Sequence, residues 1–156
     1  MALKTDIRGM VHLYPDYFVV GREKIREYSK AVQSQDAANF DEKPAAELGH
    51  PGILAPLTFT AVYALLVQQD FFRNVDVGIE TMHIVQVDQR FVYHKPIYAG
   101  DKLWARLEIH SVDERFGADI VVTRNICMNE AGELVLEAFT TLMGQQAEQS
   151  VKINGM

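Results

Sequence analysis

Between Leu57 and Val67 only Thr58 and Thr60 are not apolar, so a helix formed there has almost no solvent face and has to be covered on most of its sides. The run is too short to cross a bilayer, which takes about 20 residues. Its cover therefore has to come from the rest of the chain. Pro56 stands where it can open such a helix, because a missing N–H costs little at the first helical position.

The sequence supplies that cover after Gly78, where the apolar period changes from helical to two. Along Met82 to His94, Val85, Val87, Phe91 and Tyr93 share one parity, while Gln86, Asp88, Arg90 and His94 share the other. That alternation predicts a half-exposed strand, which Pro96 ends. Gly100 and Asp101 introduce a second strand over Lys102 to Val112, with Leu103, Ala105, Leu107 and Ile109 on its apolar side. Turns at Arg115 to Gly117 and at Asn129 to Glu133 set off two more, Asp119 to Met128 and Leu134 to Met143. A curved antiparallel sheet wrapped around a long buried central helix satisfies both patterns, an α+β arrangement. With 156 residues and 48% hydrophobic content, there is material for one core. The expected domain runs over residues 1–146, with residues 147–156 a flexible polar tail.

Upstream of the helix, Pro15 to Val20 reads as a short strand. Arg22 to Gln33 reads as a helix, with Ile25, Tyr28 and Val32 on one side. Asp36 to Ala55 holds Pro44, Gly49, Pro51 and Gly52, which predicts a functional loop with at most one turn of helix at Ala45 to Leu48.

The formal net charge of −6 and pI near 5.3 exclude a general nucleic-acid binder, which needs a concentrated basic surface. Arg22, Lys24, Arg26 and Lys30 share much of one helix face, which suits either an acidic partner or plain solvent. Cys127 is the sole cysteine, so no internal disulfide forms, and its apolar setting predicts a buried thiol. His12, His83, His94 and His110 lack the spacing of a zinc site, and no metal or other cofactor is expected. Met1 to Met10 mixes Lys4, Asp6 and Arg8 with isolated apolar residues, unlike a signal peptide. The expectation is a cytoplasmic protein without membrane insertion.

The run VDQRFVYHKPIYAGDKLWARLEI, Val87 to Ile109, resembles the strand, Pro, Gly-Asp, strand signature of MaoC-type hot-dog hydratases and dehydratases. NEAGELVLEAFTTLMG, Asn129 to Gly144, resembles their final hairpin. More narrowly, MALKTDIRGM at the start, DAANFDEKPAAELG from Asp36 and APLTF from Ala55 resemble mycobacterial (3R)-hydroxyacyl-ACP dehydratase subunits of the HadA and HadC type. Asp76 to Pro96 favours the HadC type. The likeness implies a single hot-dog domain and a role in type II fatty acid synthesis, in the elongation of meromycolic chains toward mycolic acids.

It also implies a division of labour. Asp36 matches the family's catalytic aspartate, but Asp41 stands where the catalytic histidine belongs. Elimination of water from a 3-hydroxyacyl thioester needs a base at the α carbon and an acid at the leaving hydroxyl, and a neutral-range imidazole serves both. A second carboxylate is a poorly matched base. On this resemblance the chain carries no catalytic residue of its own and pairs with a HadB-like catalytic subunit, the substrate arriving on acyl carrier protein. Phe59, Val62, Tyr63, Leu66, Phe71 and Phe72 are the expected wall of an acyl tunnel. Active relatives place AHG or APG at the helix start, where this chain has Pro56 and Leu57, so an oxyanion role there carries over weakly. Alternatives are His50 acting as the base, a hot-dog thioesterase using Asp36 or Glu42, and a non-enzymatic acyl-binding protein.

Overall fold

A computed structural model of the chain describes residues 4–78 and 82–146. The first three residues of the MALKTDIRGM segment and the expected tail, 147–156, lie outside the described residues. A 3-10 turn at Thr5–Ile7 leads into β1 (Val11–Leu13) and β2 (Phe18–Val19), then α1 (Arg22–Ala31). A second 3-10 turn, Ala37–Asn39, precedes α2 (Glu42–Glu47) and the central helix α3 (Ala61–Asn74). Four long strands follow: β3 (Met82–Tyr93), β4 (Lys102–Arg115), β5 (Ala118–Met128) and β6 (Leu134–Gln146).

The sheet has six strands in the order β1-β4-β5-β6-β3, with β2 also paired to β4. All recorded pairings are antiparallel. Phe59, just before α3, and Tyr63, Val67 and Phe71 on it pack against Leu103, Leu107, Ile109, Val121, Leu136 and Ala138 of the sheet, forming the core. Burial of each large apolar side chain there contributes about 1.5–3 kcal/mol. The alternation read along β4 holds: Leu103, Ala105, Leu107 and Ile109 are buried. Cys127 is buried as expected, and burial pushes its thiol up to about 12. This is the expected hot-dog architecture.

Several boundaries differ from the sequence reading, each for a local reason. The helix begins at Ala61 rather than Pro56, because the Ala61 N–H bonds the Thr58 carbonyl at 3.0 Å. The Leu57 carbonyl, its ordinary helical acceptor, takes the Tyr93 hydroxyl at 2.6 Å instead. Helix α2 forms despite Pro44, which falls in its first turn, where backbone N–H groups have no helical acceptor. Val32 lies one residue past α1 and is exposed. Strand β1 is three residues long, too short to show a period.

Two differences bear on function. The central helix is not covered on most sides: the sheet takes one face, and Leu65 and Leu66 remain 51% and 39% exposed on the other. In β3, the shared parity of Val85, Val87, Phe91 and Tyr93 does not mean a shared face. The register shifts between Gln86 and Asp88, and such a bulge swaps the faces beyond it. Phe91 packs on the core while Val85 and Val87 are exposed. Among the described residues, no helix is long and apolar enough to cross a membrane.

Candidate functional site

A cleft of about 550 Å³ opens where the 3-10 turn at Ala37–Asn39, the segment leading into α3, and the end of β3 meet. Asp36, His50, Leu57, Thr60, Tyr93 and His94 are among its walls. Asp36 therefore lies in a cleft at the start of the central helix. Its Oδ1 accepts the Ala38 N–H at 3.0 Å and caps the 3-10 turn. Asn39 holds the turn against the helix approach, donating to the Leu54 carbonyl at 2.8 Å and accepting the Ser34 hydroxyl at 2.6 Å.

Neither imidazole in the cleft is bonded to Asp36. His50 Nδ1 lies 3.0 Å from the Tyr98 hydroxyl. His94 Nε2 lies 2.9 Å from Glu137 Oε2. Glu137 also accepts from Arg124 through Nε at 2.8 Å and through Nη2, and Arg124 Nη1 donates to Glu108 at 3.0 Å. The hydrogen bond with His94 and those from Arg124 hold the Glu137 carboxyl below the usual carboxylate range. A His with a buried carboxylate behind it has the form of a catalytic pair, but here the carboxylate is shared with a guanidinium.

The helix approach is clamped by two tyrosines. Tyr28 donates its hydroxyl to the Thr58 carbonyl at 3.0 Å and lies 2.7 Å from the Thr58 hydroxyl, while Tyr93 holds the Leu57 carbonyl. Burial, then the neighbouring Tyr28, raises the Tyr93 phenol above its ordinary range. Thr60, just before α3, is 2% exposed and its hydroxyl has no partner.

Residues 8–138 match the family model described as FAS1-like, dehydratase domain region. The chain belongs to this dehydratase-domain family. UPF0336 protein Rv0637 of Mycobacterium tuberculosis (strain ATCC 25618 / H37Rv) is 67% identical over 153 residues, 98% of this chain and 92% of that protein. UPF0336 protein Rv0635 of the same strain is 51% identical over 148 residues, 95% of this chain and 94% of that one. Among solved structures, a chain of the C-terminally truncated HadBC (3R-hydroxyacyl-ACP dehydratase) complex from Mycobacterium tuberculosis is 66% identical. It superposes with a TM-score of 0.85 over 90% of this chain and 99% of that one. A MaoC-like dehydratase is 36% identical at a TM-score of 0.84, with 91% of this chain and 43% of that chain covered.

Against this dehydratase-domain frame, the expected site residues separate. Asp36, His50, Pro56 and Leu57 line the cleft. Asp41 does not: its side chain is 71% exposed and lies 3.4 Å from Arg26 Nη2, so the two carboxylates are not gathered at one place. Its side chain makes no capping bond to α2 either. Glu42 is exposed beside Arg22 at 3.3 Å. Of the six tunnel residues, none lines this cleft. Phe59, Tyr63 and Phe71 are in the core, Val62 and Phe72 are half-buried, and Leu66 is on the open face of α3. The basic face of α1 is largely neutralised within the chain, Arg22 and Arg26 by Glu23 and Lys24 by Glu27. Sequence reading passed over His94, Thr60 and the clamping tyrosines. His94 follows directly on the alternating run of β3, where it reads as one more solvent-facing residue, and no spacing signals that Glu137 arrives behind it. Among the described residues, no group of three or more His, Cys, Asp or Glu is placed to hold a metal ion.

Proposed function

We propose that this chain is the HadC-like, non-converting subunit of a heterodimeric (3R)-hydroxyacyl-ACP dehydratase of type II fatty acid synthesis, acting on the long meromycolic precursors of mycolic acids. Its partner is a HadB-like hot-dog subunit that keeps the aspartate and histidine together. The observation that carries the reading is Asp36 itself. It lines the cleft at the start of α3, its Oδ1 caps its own 3-10 turn through the Ala38 N–H, and among the described residues no imidazole is bonded to it.

In the reaction proposed, the partner's imidazole takes the α proton of the 3-hydroxyacyl thioester while an acid protonates the departing hydroxyl. The C2–C3 double bond forms, water leaves, and trans-2-enoyl-ACP remains. Donors near the thioester oxygen stabilise the enolate-like charge. This chain contributes apolar surface. Val62 and Leu66 fall one helical turn apart on α3, Phe59, Tyr63 and Phe71 belong to the core, and Phe72 is half-buried. The partner closes the wall from the other side, where Leu65 and Leu66 are exposed.

Co-expression with a HadB-like chain tests this reading. A stable heterodimer that dehydrates long 3-hydroxyacyl thioesters is expected, with little activity from this chain alone. Strong activity from the purified single chain contradicts it. A second reading rests on His94, a cleft imidazole with a buried carboxylate behind it: the single chain would then convert substrate, and His94→Ala in the isolated protein would abolish the rate. A thioesterase using Asp36 is separated from both by assaying thiol release beside dehydration.

A further inference from the structure

We propose that Gln68 selects the partner subunit: its side-chain amide donates to an oxygen acceptor that the catalytic hot-dog chain brings against the open flank of α3. This rests on the reading of the chain as one subunit of a dehydratase pair, and it names the contact that fixes how the two fit together.

The sheet face beneath α3 is apolar at Leu107, Val121, Leu136 and Ala138, yet one polar row crosses it. Thr123 on β5 stands opposite Thr140 on β6, and Thr140 stands opposite Gln89 on β3. The two threonines are 0% and 2% exposed. Gln89 Nε2 donates to the Thr140 hydroxyl at 3.1 Å, and Gln86 Nε2 donates to Gln89 Oε1 at 3.1 Å. On the helix side, the Thr123 hydroxyl donates to Gln68 Oε1 at 3.5 Å. Buried polar groups are costly in a core unless they are bonded, and this row is bonded across the sheet as far as Gln68.

At Gln68 the bonding stops. With Oε1 taken by Thr123, its Nε2 donates to no group among the described residues. The residue is half-buried, so water reaches the amide in the single chain. Leu65, 51% exposed, lies one helical turn before it, and Phe72, half-buried, one turn after, which puts the three on one flank of α3. The row's other end is on β3, the outermost strand of the sheet on that side, where Gln86 is exposed. A partner that covers Leu65 also displaces water from Gln68, and a donor buried without an acceptor is costly. The partner therefore supplies an oxygen there. A single polar contact in an apolar seam also penalises any chain, or any register, that lacks the matching group.

The test is the dissociation constant of the heterodimer, measured by titrating fluorescently labelled catalytic partner with this chain. Gln68→Glu keeps the oxygen that Thr123 uses and replaces the free donor with a second oxygen. Gln68→Met, of similar volume, removes both. Binding should weaken about tenfold in Gln68→Met, the worth of one hydrogen bond, and further in Gln68→Glu, where oxygen faces oxygen. A merely structural role gives the reverse order, because only Gln68→Met loses the Thr123 bond, and that order overturns the proposal. Binding by Gln68→Glu that equals or exceeds the wild type overturns it too. Should Gln68→Glu not fold, the Gln68 amide protons are followed by NMR in the isotopically labelled wild-type chain. They should move downfield and exchange with solvent more slowly once partner is added, and unchanged protons overturn the proposal. Association that ignores residue 68 removes only this contact, whereas no association of the wild-type chains removes the heterodimer reading beneath it as well.

Discussion

His94 Nε2 lies 2.9 Å from Glu137 Oε2, and Glu137 is in turn held by Arg124. The imidazole on the β3 side of the cleft is thereby tied into the sheet, through a chain of charges that runs on by way of Glu108 to Arg106 on β4. Asp36, on the opposite wall, satisfies the backbone of its own turn. Elimination needs a base at the α carbon and an acid at the leaving hydroxyl of one substrate, and here Asp36 and the cleft imidazoles make their hydrogen bonds to other groups rather than to one another.

The Glu137 network sets an acid-side stability limit. His94 and Arg124 depress the Glu137 carboxyl, so the folded state binds its proton less readily than the unfolded chain. The stabilisation is fully present above the unfolded carboxylate value and is lost as pH falls through the depressed folded value. Melting temperature should decline across that acid range. Glu137→Gln should flatten the decline and cost about 1–3 kcal/mol near neutral pH, because charged donors lose their acceptor. An unchanged acid profile in the variant counts against the network.

Asp41→Ala should matter little. The side chain is exposed and its contact with Arg26 is a surface ion pair, worth about 0–1 kcal/mol. Urea denaturation should register a change within that range, and turnover by the heterodimer should be unaltered. A large loss of turnover would place Asp41 in the chemistry.

Tyr93→Phe should loosen the helix start. It removes the hydrogen bond to the Leu57 carbonyl, a loss of about 1 kcal/mol, and Tyr28→Phe should act similarly through Thr58. Because both hydroxyls hold neighbouring carbonyls of one segment, the double variant should show a non-additive loss in chemical denaturation. Strict additivity would mean that the segment is held by other contacts.

The open face of α3 should govern assembly. Leu65→Lys, at a position already 51% exposed, should change the stability of the single chain by no more than about 0.5 kcal/mol. It should nevertheless abolish co-purification with the partner. The unaltered single chain should self-associate in sedimentation experiments, and a clean monomer at micromolar concentration would argue that this face has no partner.

The sheet was legible in the sequence because Leu103 to Ile109 alternates without interruption. The bulge beside Val87 was not, since one extra residue leaves the parity of Val85 and Phe91 intact while their faces separate. Helix α3 was readable from its apolar run. Its start was hidden because the acceptor that displaces the Leu57 carbonyl from the helical ladder, the Tyr93 hydroxyl, comes from a distant strand. Asp36 was singled out by resemblance, and it is one of the residues that line the cleft. That His94 and Thr60 face the same space depends on how the end of β3 meets the start of α3, which no local pattern encodes.

The central claim, that the proton-moving imidazole belongs to the partner subunit, is tested most directly in the intact heterodimer. The partner's catalytic histidine is replaced by alanine, assembly is verified, and dehydration of a long 3-hydroxyacyl thioester is timed. A fall of about 10² to 10⁴ in rate is expected. A rate close to that of the unaltered complex would contradict the claim, for the working imidazole would then have to be His50 or His94 of this chain.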